Sequence, residues 1–90
     1  MSTTVKKLDE NTFEVTVSEL EETKHRVGLS EAYYQKLTGG AVSKEILIEE
    51  SFDFLLARET NTMILAAFDL SVIQKYFPEY ESTIQKELSS

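Results

Sequence analysis

The chain has 90 residues, of which 41% are hydrophobic and 28% charged, with a formal net charge of −7 and no cysteine. This length and composition are typical of one small globular domain, and the lack of cysteine excludes disulfide bonds and thiolate metal ligands. The longest wholly apolar run, Met63 to Phe68, is far too short to span a bilayer.

The N-terminus and the distribution of charge indicate where the protein acts and what it binds. No apolar run follows the first lysines, so we expect a cytoplasmic protein that binds no membrane. Residues 1–44 carry six Lys/Arg against seven Asp/Glu, whereas residues 45–90 carry three against nine. Because an acidic half repels phosphate backbones, we do not expect nucleic acid as the main partner.

The first third of the chain predicts a tail followed by a β-hairpin. Residues 1–11 are polar and are predicted to be a disordered tail, whereas residues 12–90 are predicted to form a single compact domain. Apolar and polar residues alternate over Thr12–Val17 and Lys24–Leu29, which indicates two half-buried strands. Pairing them around a loop at Glu19–Thr23 predicts three pairs on the buried face: Phe13 with Leu29, Val15 with Val27, and Val17 with His25.

Helix signals occupy the rest of the chain. Ser30 can cap a helix that Gly39-Gly40 ends after Thr38, and Ser43 can cap a longer helix from Lys44 to about Glu59. Three further helical segments are predicted, from Asn61 to Phe68, from Asp69 to Phe77, and from Pro78 to about Leu88. The predicted fold class is therefore α+β, an N-terminal antiparallel β-hairpin followed by three to five short helices around one core.

The apolar stretch over residues 51–81 is predicted to be scaffold rather than a site. Its aromatic and aliphatic residues recur at helical spacing, which is typical of the buried face of a helix. We expect Tyr76 to face inward and the following residues to close the core: Phe52, Leu55, Leu56, Ile64, Phe68, Ile73 and Phe77.

The sequence contains no recognisable catalytic constellation. The single histidine, His25, falls on the buried row of its strand, where a structural role is more common than a role as base or metal ligand. Gly39-Gly40 follows a helix rather than a strand, so it does not fit a phosphate-binding loop. We therefore predict a protein that is not an enzyme and has no catalytic residue, cofactor or metal site.

A cluster of carboxylates on the second helix is a candidate surface. Glu45, Glu49, Glu50 and Asp53 are spaced so that several of them share one helical face. Such a face is exposed to water or is neutralised by a basic partner, and hard cations also prefer carboxylate oxygens. A metal-dependent enzyme that uses Glu49, Asp53 and His25 is therefore one hypothesis.

The leading hypothesis is a small non-catalytic interaction module. It would bind another protein or a second copy of itself through the carboxylate-bearing helical face. Tyr34 and Tyr80 are candidate anchors at such a surface, because a phenol prefers contact with water or a partner to full burial.

Residues 24–59 carry a pattern that includes the stretch HRVGLSEAYYQKLTGGAVSKEILIEESFDFLLARE. This arrangement of strand, capped helix, glycine turn and Ser-capped longer helix resembles the ribbon-helix-helix fold of bacterial repressors and antitoxins. The resemblance implies a dimeric DNA-binding regulator or antitoxin as the alternative function. In that case Lys24 and Arg26 would reach the major groove, and Ser43 and Lys44 would hold a phosphate.

Three further motifs, LSEAYYQKLTGG, SFDFLLARE and IQKYFPEYE, extend across most of the chain. Together they resemble a family of small bacterial proteins of unknown activity. This resemblance implies a bacterial cytoplasmic source and one compact domain, and it assigns no site residue.

Overall fold

The computed structural model describes residues 2–89 and confirms the α+β class. One mixed sheet contains, in spatial order, β1 (Ser2–Asp9), β2 (Thr12–Ser18), β3 (Glu22–Gly28) and β4 (Ala67–Asp69). The α-helices are α1 (Glu31–Thr38), α2 (Lys44–Leu56), α3 (Val72–Tyr76) and α4 (Tyr80–Ser89), and Asn61–Met63 form a 3₁₀ turn. No helix within residues 2–89 is long and apolar enough to cross a membrane. Residue 1, at the start of the predicted tail (residues 1–11), and residue 90, at the end of the predicted domain (residues 12–90), lie outside the described residues.

The prediction of a disordered tail over residues 1–11 is wrong, because most of these residues form β1. This strand pairs antiparallel with β2, with Thr3 opposite Val17 and Val5 opposite Val15. Val5 also packs against the core. Most side chains of β1 are polar and exposed, so this segment is held by its backbone pairing with β2 and by the apolar contact of Val5 rather than by a continuous apolar face.

The hairpin of β2 and β3 is present, but the predicted register is wrong by two residues. Phe13 lies opposite Val27, and Val15 lies opposite His25. The loop is correspondingly shorter and spans residues 19–21. Because side chains alternate between faces with a period of two, a shift of two residues leaves the predicted buried row on the buried side.

The first two helices begin at their predicted caps. Ser30 Oγ accepts a hydrogen bond from the Tyr33 N–H at 3.1 Å, and Ser43 Oγ accepts one from the Ile46 N–H at 3.2 Å. Gly39 follows α1 with a φ of 63°, a conformation that glycine adopts without steric cost. The second helix, α2, ends at Leu56 rather than near Glu59.

The helix predicted over residues 61–68 is wrong, because this segment is a 3₁₀ turn followed by β4. The Arg26 N–H donates to the Ala66 carbonyl, and the Leu70 N–H donates to the Gly28 carbonyl, both at 2.8 Å. These bonds hold β4 parallel to β3. Long-range backbone pairing thus outweighs the helical pattern of a short apolar run, and α3 and α4 then follow within the segments predicted after Asp69 and Pro78.

A single apolar cluster joins the inner face of the sheet to the helices. Phe13, Val27, Ile48 and Phe52 lie at its centre and are fully buried. Four of the seven residues predicted to close this core are buried: Phe52, Leu55, Ile64 and Ile73. The other three are partly buried and pack against it: Leu56, Phe68 and Phe77. Tyr76, which was also predicted to face inward, is 67% exposed.

Candidate functional site

The buried histidine has a structural role in this fold. His25 is 2% exposed, and its Nδ1–H donates to the Leu65 carbonyl at 2.7 Å. Its Nε2 accepts from Thr23 Oγ1 at 2.9 Å, and Asn61 Nδ2 donates to the same hydroxyl oxygen at 2.9 Å. Because both ring nitrogens are occupied, His25 ties β3 to the segment before β4 and presents no free nitrogen to a substrate or a metal.

The carboxylates and the histidine of the metal hypothesis do not come together. Glu49 and Asp53 are exposed, whereas His25 is buried and its ring contacts the ring of Phe52, with a centroid separation of 5.5 Å. Within residues 2–89, no group of three or more His, Cys, Asp or Glu side chains is placed to hold a metal ion. The structure therefore provides no support for a site built from these three residues.

The prediction that Tyr80 is a surface anchor is wrong, because this side chain is completely buried. Its hydroxyl lies 2.6 Å from Ser51 Oγ, which itself donates to the Leu47 carbonyl at 2.7 Å. Since Ser51 uses its proton on Leu47, the Tyr80 hydroxyl is the donor of the shared bond. Burial raises the pKa of the Tyr80 phenol and keeps it neutral.

Tyr34 is half-buried, and its polar end already has a partner within the chain. The hydroxyl donates to the Val42 carbonyl, and the ammonium of Lys44 lies 5.6 Å from the ring centroid. Tyr34 therefore links α1 to Val42 and Lys44, at the end of the turn that contains Gly39-Gly40.

The predicted carboxylate face is present on α2. Glu49 and Asp53 are exposed, Glu45 and Glu50 are half-buried, and none takes part in the ion pairs found within residues 2–89. Partial burial, followed by the negative charges of Asp53, Glu87 and Glu49, raises the pKa of Glu50. The face on α2 is thus extended by a carboxylate from α4. We call Glu45, Glu49, Glu50, Asp53 and Glu87 the acidic face.

An exposed apolar side chain lies within the acidic face. Ile46 is 44% exposed and precedes Glu49, Glu50 and Asp53 by three, four and seven residues, so all four side chains point to one side of α2. Aliphatic surface surrounded by charge is a common arrangement at protein interfaces, where an apolar centre is bordered by a polar rim.

The residues of the DNA-binding alternative do not form one surface. Lys24 and Arg26 lie on the outer face of the sheet, opposite the core, whereas Ser43 and Lys44 begin α2 on the covered side. Lys44 is also engaged, since its Nζ lies 3.1 Å from Glu31 Oε1 and donates to the Glu10 carbonyl at 3.0 Å. The major-groove contact predicted for Lys24 and Arg26 and the phosphate contact predicted for Ser43 and Lys44 would therefore lie on opposite sides of the sheet.

Sequence reasoning missed an apolar groove between the end of α2, the segment before β4, and α3. Its volume is about 340 Å³, and one carboxylate, that of Glu59, lies in its lining. The lining residues are Leu55, Glu59, Met63, Ile64, Leu65, Phe68, Val72, Ile73, Tyr76 and Phe77. Met63, Leu65 and Tyr76 are 67%, 48% and 67% exposed. The run Met63–Phe68 was visible in the sequence, but a helical interpretation of it assigned the side chains to the core.

A scan against models of protein families, a search of curated proteins and a search of solved structures each found no match to this chain. The resemblance to a family of small bacterial proteins and the cytoplasmic location therefore stay predictions.

Proposed function

We propose that this protein is a small non-catalytic interaction module that binds a basic partner protein through the acidic face. The observation that carries the proposal is the row of α2 carboxylates on the same side of the helix as exposed Ile46, with partial burial and then the charges of Asp53, Glu87 and Glu49 raising the pKa of Glu50. A basic partner would neutralise this charge, and its aliphatic groups would cover the isoleucine.

Electrostatics favour a partner with Lys or Arg side chains. The carboxylates of the acidic face repel one another, and this repulsion is relieved when cations approach. The residues 45–90 also carry three Lys/Arg against nine Asp/Glu, so the long-range field attracts a positively charged surface and accelerates encounter with it.

Nucleic-acid binding is the alternative function, and its best support is the outer face of the sheet. Lys6, Glu14 and Arg26 lie side by side on β1, β2 and β3, with Lys24 nearby on β3. The carboxylate between the two cations reduces their attraction for phosphate. In addition, β4 of the same chain pairs with residues 26–28 on the side of β3 away from β2, which occupies part of the edge that the interchain strand pairing of a ribbon-helix-helix dimer would use.

The experiment is affinity capture from native lysate with three tagged proteins, each with and without nuclease. These are the wild type, Glu49→Lys/Asp53→Lys on the acidic face, and Glu19→Lys/Glu21→Lys on the loop between β2 and β3. Both double variants change the net charge equally, and their thermal unfolding confirms that they are folded. We expect partner proteins that survive nuclease and are lost only from the acidic-face variant.

Two outcomes contradict this function. If all three proteins capture the same set, the acidic face is not the binding surface. If the captured material is DNA or RNA and disappears with nuclease, the nucleic-acid alternative replaces the present proposal.

A further inference from the structure

The open edge of β4 lies beside the apolar groove described above. Within residues 2–89, β4 pairs with β3 on one side and with no strand on the other. A strand edge without a partner presents unpaired backbone donors and acceptors, which is the usual template for adding a strand from another chain.

Two backbone bonds between β3 and the residues that flank β4 show which backbone groups of β4 remain unpaired. The Ala66 carbonyl and the Leu70 N–H both bond to β3. Because alternate residues of a parallel strand point their backbone groups to the same side, the N–H and carbonyl of Ala67 face away from β3. Ala67 is also exposed, so these groups are accessible to an added strand.

The groove lies on the side of the sheet where an added strand would insert its side chains. Phe68 points toward the core, and its ring lies 6.1 Å from that of Phe52 between centroids. Phe68 also lines the groove together with Leu65 and Tyr76. In a strand paired with β4, every second side chain would therefore enter the groove and cover apolar surface that is now exposed.

Charge complementarity identifies the kind of strand that fits. Glu59 is the only Asp, Glu, Lys, Arg or His side chain that lines the groove, and it takes part in none of the ion pairs found within residues 2–89. The nearby Arg58 is already paired with Glu79 at 3.3 Å and stacks on Phe54. A strand with apolar residues and a Lys or Arg would fill the groove with its apolar side chains and pair its cation with the carboxylate of Glu59.

The other edge of the sheet does not offer the same combination. Strand β1 presents Lys6 and Lys7 along its length, and charged side chains, lysine above all, discourage edge-to-edge pairing. The apolar groove is lined by no residue of β1.

We propose that an extended peptide segment of a partner protein, apolar at alternate positions and carrying Lys or Arg, adds as a strand to the open edge of β4. Its apolar side chains fill the groove, and its cation pairs with Glu59. The open edge of β4 and the groove contain no residue of the acidic face, so either proposal can fail without affecting the other.

The test begins with selection of random linear peptides on the full-length protein. Enriched sequences are expected to alternate apolar residues and to contain Lys or Arg without Asp or Glu. Leu65→Ser and Tyr76→Ser should weaken their binding at least about tenfold, whereas Leu20→Ser, at a fully exposed leucine on the hairpin loop, should leave it unchanged. Glu59→Gln should weaken binding roughly two- to fivefold.

Backbone variants separate strand addition from ordinary side-chain docking. Ala67→Pro removes the N–H that faces the open edge without touching the bonds to β3, and it should abolish peptide binding. If this variant fails to fold, N-methylation of the peptide provides the same test on the other partner. N-methylation of the peptide amides that bond to β4 should abolish binding. N-methylation of the intervening amides, which point away from β4, should not.

Three results would overturn the proposal. The first is the enrichment of no peptide at all. The second is binding that survives both Ala67→Pro and every N-methylation. The third is sedimentation of the wild type as a dimer that Ala67→Pro converts to a monomer, because a second copy of the chain would then occupy this edge.

Discussion

Two buried hydroxyl groups, those of Tyr80 and Ser51, share one hydrogen bond between α4 and α2. In Tyr80→Phe, Ser51 keeps its bond to the Leu47 carbonyl, so about 1 kcal/mol of stability should be lost. In Ser51→Ala, the Tyr80 hydroxyl has no acceptor while fully buried, which should cost about 1–3 kcal/mol. Urea unfolding measures both changes.

The double variant Ser51→Ala/Tyr80→Phe is the control for this interpretation. It removes both polar groups, so it should be more stable than Ser51→Ala alone, even though it carries more changes. A double variant that is less stable than either single variant would show that packing, rather than the unsatisfied hydroxyl, determines the loss.

Glu50 should make the stability of the fold depend on pH. Burial and the neighbouring carboxylates raise its folded-state pKa, so its ionisation destabilises the folded state above that pKa. Glu50→Gln should therefore stabilise the protein at neutral pH, by at most about 0.5 kcal/mol because the side chain is only partly buried and water screens its charge. The gain should fade as the pH decreases through the pKa of Glu50, because the wild-type carboxyl then becomes neutral as well.

Thermal unfolding across the acidic pH range measures this effect, and Glu19→Gln on the hairpin loop controls for the change in net charge. A gain from Glu50→Gln that persists at pH values where Glu50 is protonated would contradict this electrostatic origin.

At the scale of elements, β1 is the strand whose contribution can be tested most simply. Val5 packs on the core side and its neighbour Thr4 lies on the exposed side. Val5→Asp places a carboxylate against the core and should cost at least about 2 kcal/mol, whereas Thr4→Asp should change stability by about 0.5 kcal/mol or less. Equal effects in chemical unfolding would mean that this segment does not pack against the core.

The elements that the sequence predicted are those with strong local signals. Alternation revealed β2 and β3 and placed His25 on the buried side, and Ser30 and Ser43 marked the starts of α1 and α2. These signals lie within a few residues of the elements that they specify.

The elements that the sequence missed depend on distant partners. β1 lacks an apolar row, and β4 exists because the backbone of Arg26 and Gly28 pairs with it. The same limit applies to the candidate sites. The α2 part of the acidic face could be predicted from helical spacing, whereas the contribution of Glu87 and the groove beside β4 required the packing of remote segments.

At the scale of the whole molecule, the two candidate surfaces differ in their chemistry. The acidic face is charged around one isoleucine, so its binding should decrease as salt screens the carboxylates. The groove is apolar with one carboxylate, so its binding should be less sensitive to salt. A partner that contacts both would gain affinity through simultaneous engagement.

The central claim is that the acidic face binds a partner protein. Its most direct test is the dissociation constant of the captured partner for the wild type, Glu49→Lys/Asp53→Lys and Glu19→Lys/Glu21→Lys. We predict at least about a tenfold loss of affinity for the acidic-face variant and little change for the loop variant. Equal affinities for all three proteins would contradict the claim.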